Sequence, residues 1–355
     1  MEDFFLICPP NFESIALWEI RQRYQDIEPS SIILHYGGIE IKSIPLSLGL
    51  SFNITLKSIN RVLLRVERFS AKDFPKLFKK TSKLTWRKYL VSSDVTCHAT
   101  SKMSRLIHSD RIASTVKEGI EKSLQAQAPK QEPPFCEKQE VYVHFYKDEC
   151  TISIDTSGEL LYKKNLFPIK NTAPIRESIL SGMHLFIMKE NEKWRNKTLI
   201  DPMCGSGAVL LSARDLNENH PRDFSFKKRK GFVFAPGKPI ELAYMDYEGF
   251  DQDQELIVKV KKSTHLNLSQ KDFYQLEIRK KENKILFFNP PYNLRLKTEV
   301  DARENFKKIV DKVQSMNMPF YFIYPIADAL KGTKPILTTT HGGLKIGLYS
   351  NNSFR

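Results

Sequence analysis

The sequence predicts an α/β protein in which a mixed α+β region precedes a doubly wound, mainly parallel sheet. Two patterns support this prediction. From Thr172 onward, helical and strand patterns alternate along the chain, which is typical of βαβ units and a parallel sheet. Before Thr172, short apolar runs and amphipathic stretches follow one another without that regular alternation. We therefore expect more than one domain in the 355 residues.

The first part of the chain predicts a strand, a helix and a further strand. Residues 4–7 form an apolar run, and Asn11 suits the N-cap of a helix that continues to about Tyr24. Gly37 and Gly38 favour a turn between strands. Beyond them, strands are expected at 52–56, 61–66, 95–99 and 140–145, and helices at 74–80 and 109–122.

The C-terminal part predicts an ordered series of helices and strands. Ile175, Ile179, Met183 and Phe186 fall on one face of a helix. A short strand and a glycine turn follow it. Further strands are expected at 241–244, 285–288, 320–324 and 344–349, with a helix at 303–313.

The charge of the chain is unevenly distributed. Lys and Arg number 55 against 41 Asp and Glu, and the segment 56–90 alone holds 11 basic and 2 acidic residues. Such a segment favours a polyanionic partner, because Lys and Arg that neutralise phosphates release condensed counterions. Aromatic residues are interleaved there, namely Phe69, Phe74, Phe78, Trp86 and Tyr89. The segment is therefore a candidate nucleic-acid face, with an ordinary solvated basic face as the alternative.

A glycine turn follows the strand that ends at Asp201. Gly205 and Gly207 allow the backbone to approach a ligand closely, and the N-terminus of the next helix offers unpaired N–H groups. The Lys-Ser/Thr of a Walker A loop and the GxGxxG dinucleotide fingerprint are both absent. An acidic residue before Gly-Ser-Gly suits a zwitterionic or cationic cofactor better than a pyrophosphate. A purely structural strand-to-helix connection is the alternative.

The second motif is Asn289-Pro290-Pro291-Tyr292, directly after the apolar run at 285–288. The two prolines restrict φ and contribute no N–H group. An Asn amide oxygen and a proline carbonyl can both accept hydrogen bonds from one exocyclic amine, and Tyr292 offers a face on which a base can stack. A rigid turn at the end of a strand is the alternative.

The two motifs begin 88 positions apart, at Asp201 and Asn289. Three acidic residues at expected strand ends lie between them, namely Asp251, Asp253 and Asp272. This arrangement resembles the class I S-adenosylmethionine-dependent methyltransferases that act on exocyclic amines of bases. The resemblance implies a Rossmann-like fold and a glycine loop that holds the methionine part of the cofactor. It also implies that Asp272 meets the adenine amine and that Asn289 and its neighbours hold the target amine.

The same resemblance implies a set of site residues. Catalytic roles fall on Asn289, Pro290, Pro291 and Tyr292. Cofactor-binding roles fall on Asp201, Met203, Cys204, Gly205, Ser206, Gly207, Asp251, Asp253, Asp272 and Asn289. Asp251 is expected to hold the ribose hydroxyls, with Asp253 as the runner-up, and Cys204 is expected to pack rather than to act as a nucleophile. No His/Cys cluster predicts a metal site.

Further segments extend the resemblance along the chain. Residues 172–179 and 221–226 resemble the APLRE helix and the ARDFAFE segment of one bacterial branch, and residues 101–109 with 116–120 resemble the closing part of an RNA-binding THUMP domain. The whole chain is thus similar to the THUMP-containing bacterial 23S ribosomal RNA guanine-N2 methyltransferases. The implied domains are a ferredoxin-like segment at 1–48, a THUMP domain at 49–156 and a methyltransferase domain at 157–355.

This family implies methyl transfer from S-adenosylmethionine to a guanine N2 amine of 23S ribosomal RNA or its precursor, in the cytoplasm. No apolar run approaches the roughly 20 residues of a membrane span. Three alternatives stay open: a transfer-RNA guanine-N2 methyltransferase, an adenine-N6 DNA methyltransferase, and a non-catalytic RNA-binding assembly factor. The candidate RNA contacts are Lys57, Arg61, Arg65, Lys79, Lys80, Lys83, Arg87, Lys88, Lys102 and Arg105. The oligomeric state stays open.

Overall fold

The computed structural model describes residues 1–90, 94–126, 139–163, 175–190, 197–219, 224, 232–240, 244–291 and 299–354, and every structural statement below concerns these residues. The chain forms two compact units. The first comprises Met1–Ile7, Asp26–Leu161 and His220–Gly237; the second comprises Cys8–Gln25, Tyr162–Asn219 and Lys238–Arg355. Residues 1–48, predicted as one ferredoxin-like segment, are therefore divided between the two units.

The described residues form eight α-helices. They are α1 (Glu13–Arg23), α2 (Leu46–Thr55), α3 (Phe74–Thr81), α4 (Ser109–Ala126), α5 (Glu177–Glu190), α6 (Ala208–Asp215), α7 (Gln254–Thr264) and α8 (Glu299–Ser315). The predicted helices at 74–80, 109–122 and 303–313 are confirmed as α3, α4 and α8.

A seven-stranded sheet forms the first unit. Its strands are β1 (Glu2–Ile7), β2 (Ile32–His35), β3 (Gly38–Ile44), β4 (Arg61–Ser70), β5 (Val95–Lys102), β6 (Gln139–Tyr146) and β7 (Glu149–Asp155). They lie in the order β2-β3-β1-β4-β7-β6-β5, and every neighbouring pair is antiparallel except β5 and β6. Strands from both sides of residue 48 thus share one sheet.

Residues 52–56 do not form the predicted strand. They lie in and just after α2, where Phe52 and Asn53 are both buried. Because buried residues fall on nearly all sides of this helix, its sequence lacks the 3.6-residue alternation that marks a surface helix. The Asn53 side chain donates a hydrogen bond to the Thr156 hydroxyl at 2.9 Å, which satisfies a polar group inside the unit.

A second seven-stranded sheet forms the second unit. Its strands are β8 (Thr198–Asp201), β9 (Asp246–Asp251), β10 (Asn267–Gln270), β11 (Lys284–Phe288), β12 (Phe320–Pro325), β13 (Leu337–His341) and β14 (Leu344–Ser350). They lie in the order β10-β9-β8-β11-β12-β14-β13, and β14 alone runs in the direction opposite to the other six strands. The strand order reverses between β8 and β11, so the predicted doubly wound sheet is confirmed and ligands are expected at the carboxyl ends of these strands.

Two strand predictions of this unit need correction. A strand was expected at 241–244, but Tyr244 lies outside any strand and 241–243 lie outside the described part of the chain. The strand that precedes the acidic pair is β9, which begins at Asp246. Strand β13 was not predicted at all, because its sequence Leu-Thr-Thr-Thr-His carries little apolar alternation.

Helix α1 belongs to the second unit and contacts α5. A Cβ atom at Gly182 of α5 would lie 2.3 Å from the Phe12 ring, so this close approach requires glycine. The prediction that Asn11 caps α1 is wrong: Phe12 occupies the N-cap position without a side-chain bond. Asn11 instead has φ of 68° and donates to the Thr338 hydroxyl at 3.1 Å, which ties the start of α1 to β13.

An aromatic core lies between α8 and the sheet of the second unit. Phe306 of α8 is fully buried, and its ring centroid lies 5.1 Å from that of Tyr324, 5.2 Å from that of Tyr349 and 5.6 Å from that of Phe322. Aromatic pairs at such distances contribute beyond their buried area. The core therefore anchors α8 over β12 and β14.

We expect Phe306→Ala to lower the free energy of unfolding by about 3–5 kcal/mol, because it removes a fully buried ring and leaves a cavity. Chemical denaturation of the full-length protein measures the change. Lys307→Ala, at an exposed position of the same helix, is the matched control and should stay within about 0.5 kcal/mol. Equal stability of the two variants would contradict the described packing.

Candidate active site

The loop between β8 and α6 forms a tight turn at the carboxyl edge of the sheet. Asp201 ends β8 and is 1% exposed, and its carboxylate accepts a hydrogen bond from the Met203 N–H at 3.1 Å. The Gly207 N–H donates to the Cys204 carbonyl at 2.7 Å, and Gly207 reaches φ of 78° immediately before α6. A side chain would be strained there, and its Cβ would lie 3.0 Å from Leu266.

Two hydrogen bonds attach this loop to the end of β9. The Cys204 N–H donates to the Phe250 carbonyl and the Gly205 N–H donates to the Asp251 carboxylate, each at 2.8 Å. The other Asp251 oxygen accepts from the Asp253 N–H at 3.0 Å. Asp251 therefore joins the ends of two neighbouring strands and lies beside the loop that Asp201 begins.

Asp253 has a different position from Asp251. It occupies the N-cap of α7, where its carboxylate accepts a hydrogen bond from the Leu256 N–H at 3.0 Å. Such a cap stabilises a helix by about 1 kcal/mol. The two acids, of which the resemblance favours Asp251 for the ribose, therefore have different hydrogen-bond partners.

Burial dominates the electrostatics of the loop. It raises the pKa of the Asp201 carboxyl well above its ordinary value, and the neighbouring Asp251 charge raises it further, against the Met203 hydrogen bond that lowers it. Burial likewise raises the pKa of the Cys204 thiol, which keeps the sulfur protonated and unreactive. A buried carboxyl beside a second carboxylate favours a cationic ligand, because a positive charge would stabilise the ionised form of both groups.

Asp272 lies two residues beyond the end of β10. Its carboxylate accepts hydrogen bonds from the Tyr274 N–H at 2.7 Å and from the Gln275 N–H at 3.3 Å. A cavity of about 700 Å³ opens here, with Phe250, Lys271 and Asp272 among its lining residues. Its lining also includes Glu248 and Lys284 but no residue of the glycine loop. The buried Asp201 carboxyl and the Asp251 carboxylate lie at the glycine loop instead.

Asn289, Pro290 and Pro291 follow β11 directly, next to the end of β8. The Asn289 side-chain oxygen is shielded from solvent and has no hydrogen-bond partner within the described residues. A buried acceptor without a donor costs about 1–3 kcal/mol, so this oxygen is held ready for a donor that arrives with a ligand. Tyr292, the predicted stacking residue, lies outside the described ranges.

The structure brings most of the predicted site residues to one edge of the sheet. Asp201, Asp251 and Asn289 stand at the ends of three strands that are adjacent in the order β9-β8-β11. Met203, Cys204, Gly205, Ser206 and Gly207 form the connecting loop, and Asp272 follows the next strand outward. Asn305 of α8, whose amide contacts Pro291, was not predicted, because no local motif marks a helix residue that meets a loop 14 positions earlier.

Several predicted RNA contacts are structural residues of the first unit. Lys57 is only 2% exposed, so the prediction that it contacts RNA is wrong. Arg61 pairs with Asp155 and lies over the Tyr142 ring. Strand β4 thus places Arg61 next to an acid of the neighbouring strand β7.

Arg65 and Trp86 likewise take part in packing. Arg65 lies 3.5 Å from a Glu40 oxygen and 4.3 Å from the Phe5 ring centroid, and burial lowers its pKa to about 10. Trp86 is fully buried, and its indole N–H donates to the Thr81 carbonyl at 2.9 Å. Neither side chain offers a free surface to a nucleic acid.

Other predicted RNA contacts lie on the surface of the first unit. Lys88 is exposed but pairs with Glu2 at 2.5 Å, and Arg87 donates to the Leu124 carbonyl at 3.1 Å. Lys80 is half-buried over the Phe69 ring. Four other predicted contacts are exposed, namely Lys79, Lys83, Lys102 and Arg105. Within the described residues, none of them has an ion pair shorter than the 3.7 Å between Arg105 and Asp148.

No metal site or membrane span was found in the part of the chain that the structure describes. Its His, Cys, Asp and Glu side chains form no group of three or more placed to hold a metal ion. Its helices are also too short or too polar to cross a bilayer.

We expect Asp201→Asn to stabilise the ligand-free protein at neutral pH. Because the folded-state pKa of Asp201 is raised, the wild-type protein loses stability as the pH rises from the ordinary value of 3.8 through the higher folded value. Denaturant midpoints of wild type and variant should therefore diverge with increasing pH. Gln314→Ala, an exposed control without a titratable side chain, should show no such divergence, and a pH-independent difference for Asp201→Asn would contradict the assignment.

Comparison with protein families identifies two domains. Residues 71–155 match the THUMP domain, and residues 166–319 match the RMKL-like methyltransferase domain. The ribosomal RNA large subunit methyltransferase K/L of Methylococcus capsulatus is 24% identical over 68% of this chain and 32% of its own length. The chain spans less than half the length of the first curated relatives it matches.

Solved structures show the same fold over almost the whole chain. The crystal structure of SMU.472 complexed with SAH has a TM-score of 0.77 at 21% identity and covers 98% of this chain and 97% of its own. A predicted N6-adenine-specific DNA methylase from Listeria monocytogenes has the same TM-score at 20% identity, with 98% and 96% covered. The fold class is therefore confirmed, and the chain carries a THUMP domain followed by an RMKL-like methyltransferase domain.

Proposed function

We propose that this protein transfers a methyl group from S-adenosylmethionine to the exocyclic N2 amine of a guanine in 23S ribosomal RNA. The observation that carries the proposal is the buried Asn289 oxygen without a donor, at the strand end next to the acidic glycine loop. The two family matches support RNA as the substrate and methyl transfer as the reaction. The related K/L enzymes, by their name, act on large-subunit ribosomal RNA.

The glycine loop fits S-adenosylmethionine. A Cβ atom built at Gly205 meets no other atom within 4 Å, which leaves open space beside the loop. Asp201 and Asp251 offer carboxyl groups to a ligand that carries a positive sulfonium and an amino group. The fold relative SMU.472, which was solved with SAH, supports the same ligand class.

We assign the ribose hydroxyls to Asp251 rather than to Asp253. Each Asp251 oxygen accepts one N–H bond and keeps a second lone pair for a hydroxyl donor. Asp253 is committed to the cap of α7 and is exposed. Asp272, one strand further, is proposed to meet the adenine amine.

In the proposed chemistry the base amine would attack a methyl group in line, so that the nitrogen–carbon bond forms as the carbon–sulfur bond breaks, the thioether leaves and the amine gives up one proton to solvent. When bound, S-adenosylmethionine supplies that methyl group on an electrophilic sulfonium. Asn289 and the Pro290 carbonyl would each accept one N–H bond of the amine, which directs its delocalised lone pair toward the methyl carbon. Such positioning can contribute up to roughly 7–11 kcal/mol in ideal cases. Stacking of the base on Tyr292 stays a prediction.

The exposed basic residues of the first unit support RNA binding. Lys79 and Lys83 lie at and just after the end of α3, and Lys102 and Arg105 lie at and just after the end of β5. Contacts of this kind are made mostly to phosphates and recognise shape more than sequence. A transfer RNA would suit the same surface, whereas the THUMP match argues against DNA.

We expect Asn289→Ala to reduce methyl transfer by at least 100-fold, because the change removes one of the two amine acceptors and misplaces the nucleophile. The assay offers labelled S-adenosylmethionine with undermethylated ribosomal RNA, transfer RNA or DNA, followed by nucleoside analysis. Asn283→Ala, an exposed asparagine at the opposite end of β11, is the control and should keep full activity.

Each outcome of this assay decides between the functions considered. N2-methylguanosine in ribosomal RNA supports the proposal, and the same product in transfer RNA would change the substrate only. N6-methyladenine in DNA would overturn the RNA assignment. Wild-type protein that binds no cofactor and transfers no label would leave a non-catalytic RNA-binding factor.

We expect Lys79→Ala with Lys83→Ala to weaken RNA binding and to reduce the slope of log affinity against log salt by about one to two. Each lysine that neutralises a phosphate releases about one counterion, so the slope reports how many phosphates the protein neutralises. Fluorescence anisotropy with a structured RNA at several salt concentrations measures it. Lys262→Ala, an exposed lysine of α7, should leave the slope unchanged. An unchanged slope in the double variant would exclude these lysines from the RNA surface.

A further inference from the structure

A chain of hydrogen bonds connects the end of the Asn289-Pro290-Pro291 segment to the interior of the second unit. The Asn305 amide nitrogen donates to the Pro291 carbonyl at 3.4 Å, a long bond, and to the Tyr324 hydroxyl at 3.2 Å. The Tyr324 hydroxyl donates to the Ala302 carbonyl at 2.8 Å. This series of hydrogen bonds thus connects the loop after β11 with α8, α8 with β12, and β12 again with α8.

The chemistry of the four groups determines the direction of every bond. The Pro291 and Ala302 carbonyls can only accept, so the Asn305 nitrogen must face the first and the Tyr324 proton must face the second. The Tyr324 oxygen then has to accept from Asn305. The orientation of the Asn305 amide is therefore settled by its partners.

Two prolines make the segment unusually dependent on such outside donors. A proline has no N–H, so neither Pro290 nor Pro291 can attach the loop to a neighbouring strand through its own backbone donor. Only their carbonyls remain, and those need donors from elsewhere. Asn305 supplies one, and its own position is held by a tyrosine that is fully buried in the aromatic core.

The support behind Asn305 is rigid. The Tyr324 ring lies 5.1 Å from the Phe306 ring in a T-shaped pair, and β12 runs in parallel register with β11. Burial raises the pKa of Tyr324, so its hydroxyl keeps its proton and its donor function at neutral pH. A fixed hydroxyl on a fixed strand defines where the Asn305 amide stands.

We propose that Asn305 and Tyr324 are positioning residues that hold the Pro291 carbonyl and thereby set the placement of the amine acceptors at Asn289 and Pro290. This inference rests on the proposed function, since it concerns the same amine. Neither side chain touches the reacting atoms. Their effect is on the geometry of the loop, where a displacement of about 1 Å can cost 100-fold in rate.

Tyr324→Phe tests the proposal with a closely matched control. The change removes the hydroxyl that orients Asn305, and we expect kcat for methyl transfer to fall by about 10- to 100-fold. Affinity for S-adenosylmethionine, measured by calorimetry, should stay within about twofold, because the glycine loop is untouched. Tyr349→Phe removes a hydroxyl from the same aromatic core, but one that has no hydrogen-bond partner among the described residues. It should keep kcat within about twofold.

Asn305→Ala gives a second, independent test at a half-buried position. We expect a similar loss of kcat with unchanged cofactor affinity. The double variant with Tyr324→Phe should be no worse than the more affected single variant, since both changes interrupt one path. Asn305→Ala combined with Tyr349→Phe should instead show the product of the separate effects.

The outcomes distinguish this inference from the proposed function. If the wild-type protein is active and the Tyr324→Phe and Tyr349→Phe variants have equal kcat, the positioning role alone is overturned. Multiplicative losses in the Asn305 and Tyr324 double variant also overturn it. A wild-type protein without methyl transfer overturns both proposals together.

Discussion

The hydrogen bond from the Gly205 N–H to the Asp251 carboxylate is the interaction on which the candidate site depends. Together with the bond from the Cys204 N–H to the Phe250 carbonyl, it attaches the loop after β8 to the end of β9. It thereby places the buried Asp201 carboxyl near a second acid. The bonds that order the loop also create an unfavourable pair of acids, which a cationic ligand would relieve.

The opposite side of the site is built from acceptors rather than charges. Asn289 contributes an amide oxygen, and two prolines contribute carbonyls without contributing donors. An exocyclic amine is the complementary ligand, because it brings two N–H donors and a lone pair. The same property that suits this segment to an amine leaves it without backbone donors of its own. The contact from Asn305 of α8 to Pro291 compensates for that lack.

The basic segment shows why charge along a sequence is an uncertain guide to a surface. Arg61 and Arg65 lie in β4, where Asp155 of the neighbouring strand β7 pairs with Arg61 and Glu40 of β3, two strands away, pairs with Arg65. Their charges stabilise the sheet and contribute little to the outer potential. Lys79 and Lys83 are exposed at the end of α3, so only part of the basic excess is available to a polyanion.

Periodicity, turn chemistry and proline geometry act over a few residues, so the amino-acid pattern predicts the α/β class, the glycine turn after Asp201 and the Asn-Pro-Pro segment after β11. It could not predict helix α2 or the contacts of Asn11, since burial and a partner 327 positions away decide them. The folded chain gives Asp251 and Asp253 different hydrogen-bond partners and brings Asn305 to Tyr324. These distinctions depend on which strands and helices become neighbours, and that is a property of the folded chain rather than of any local pattern.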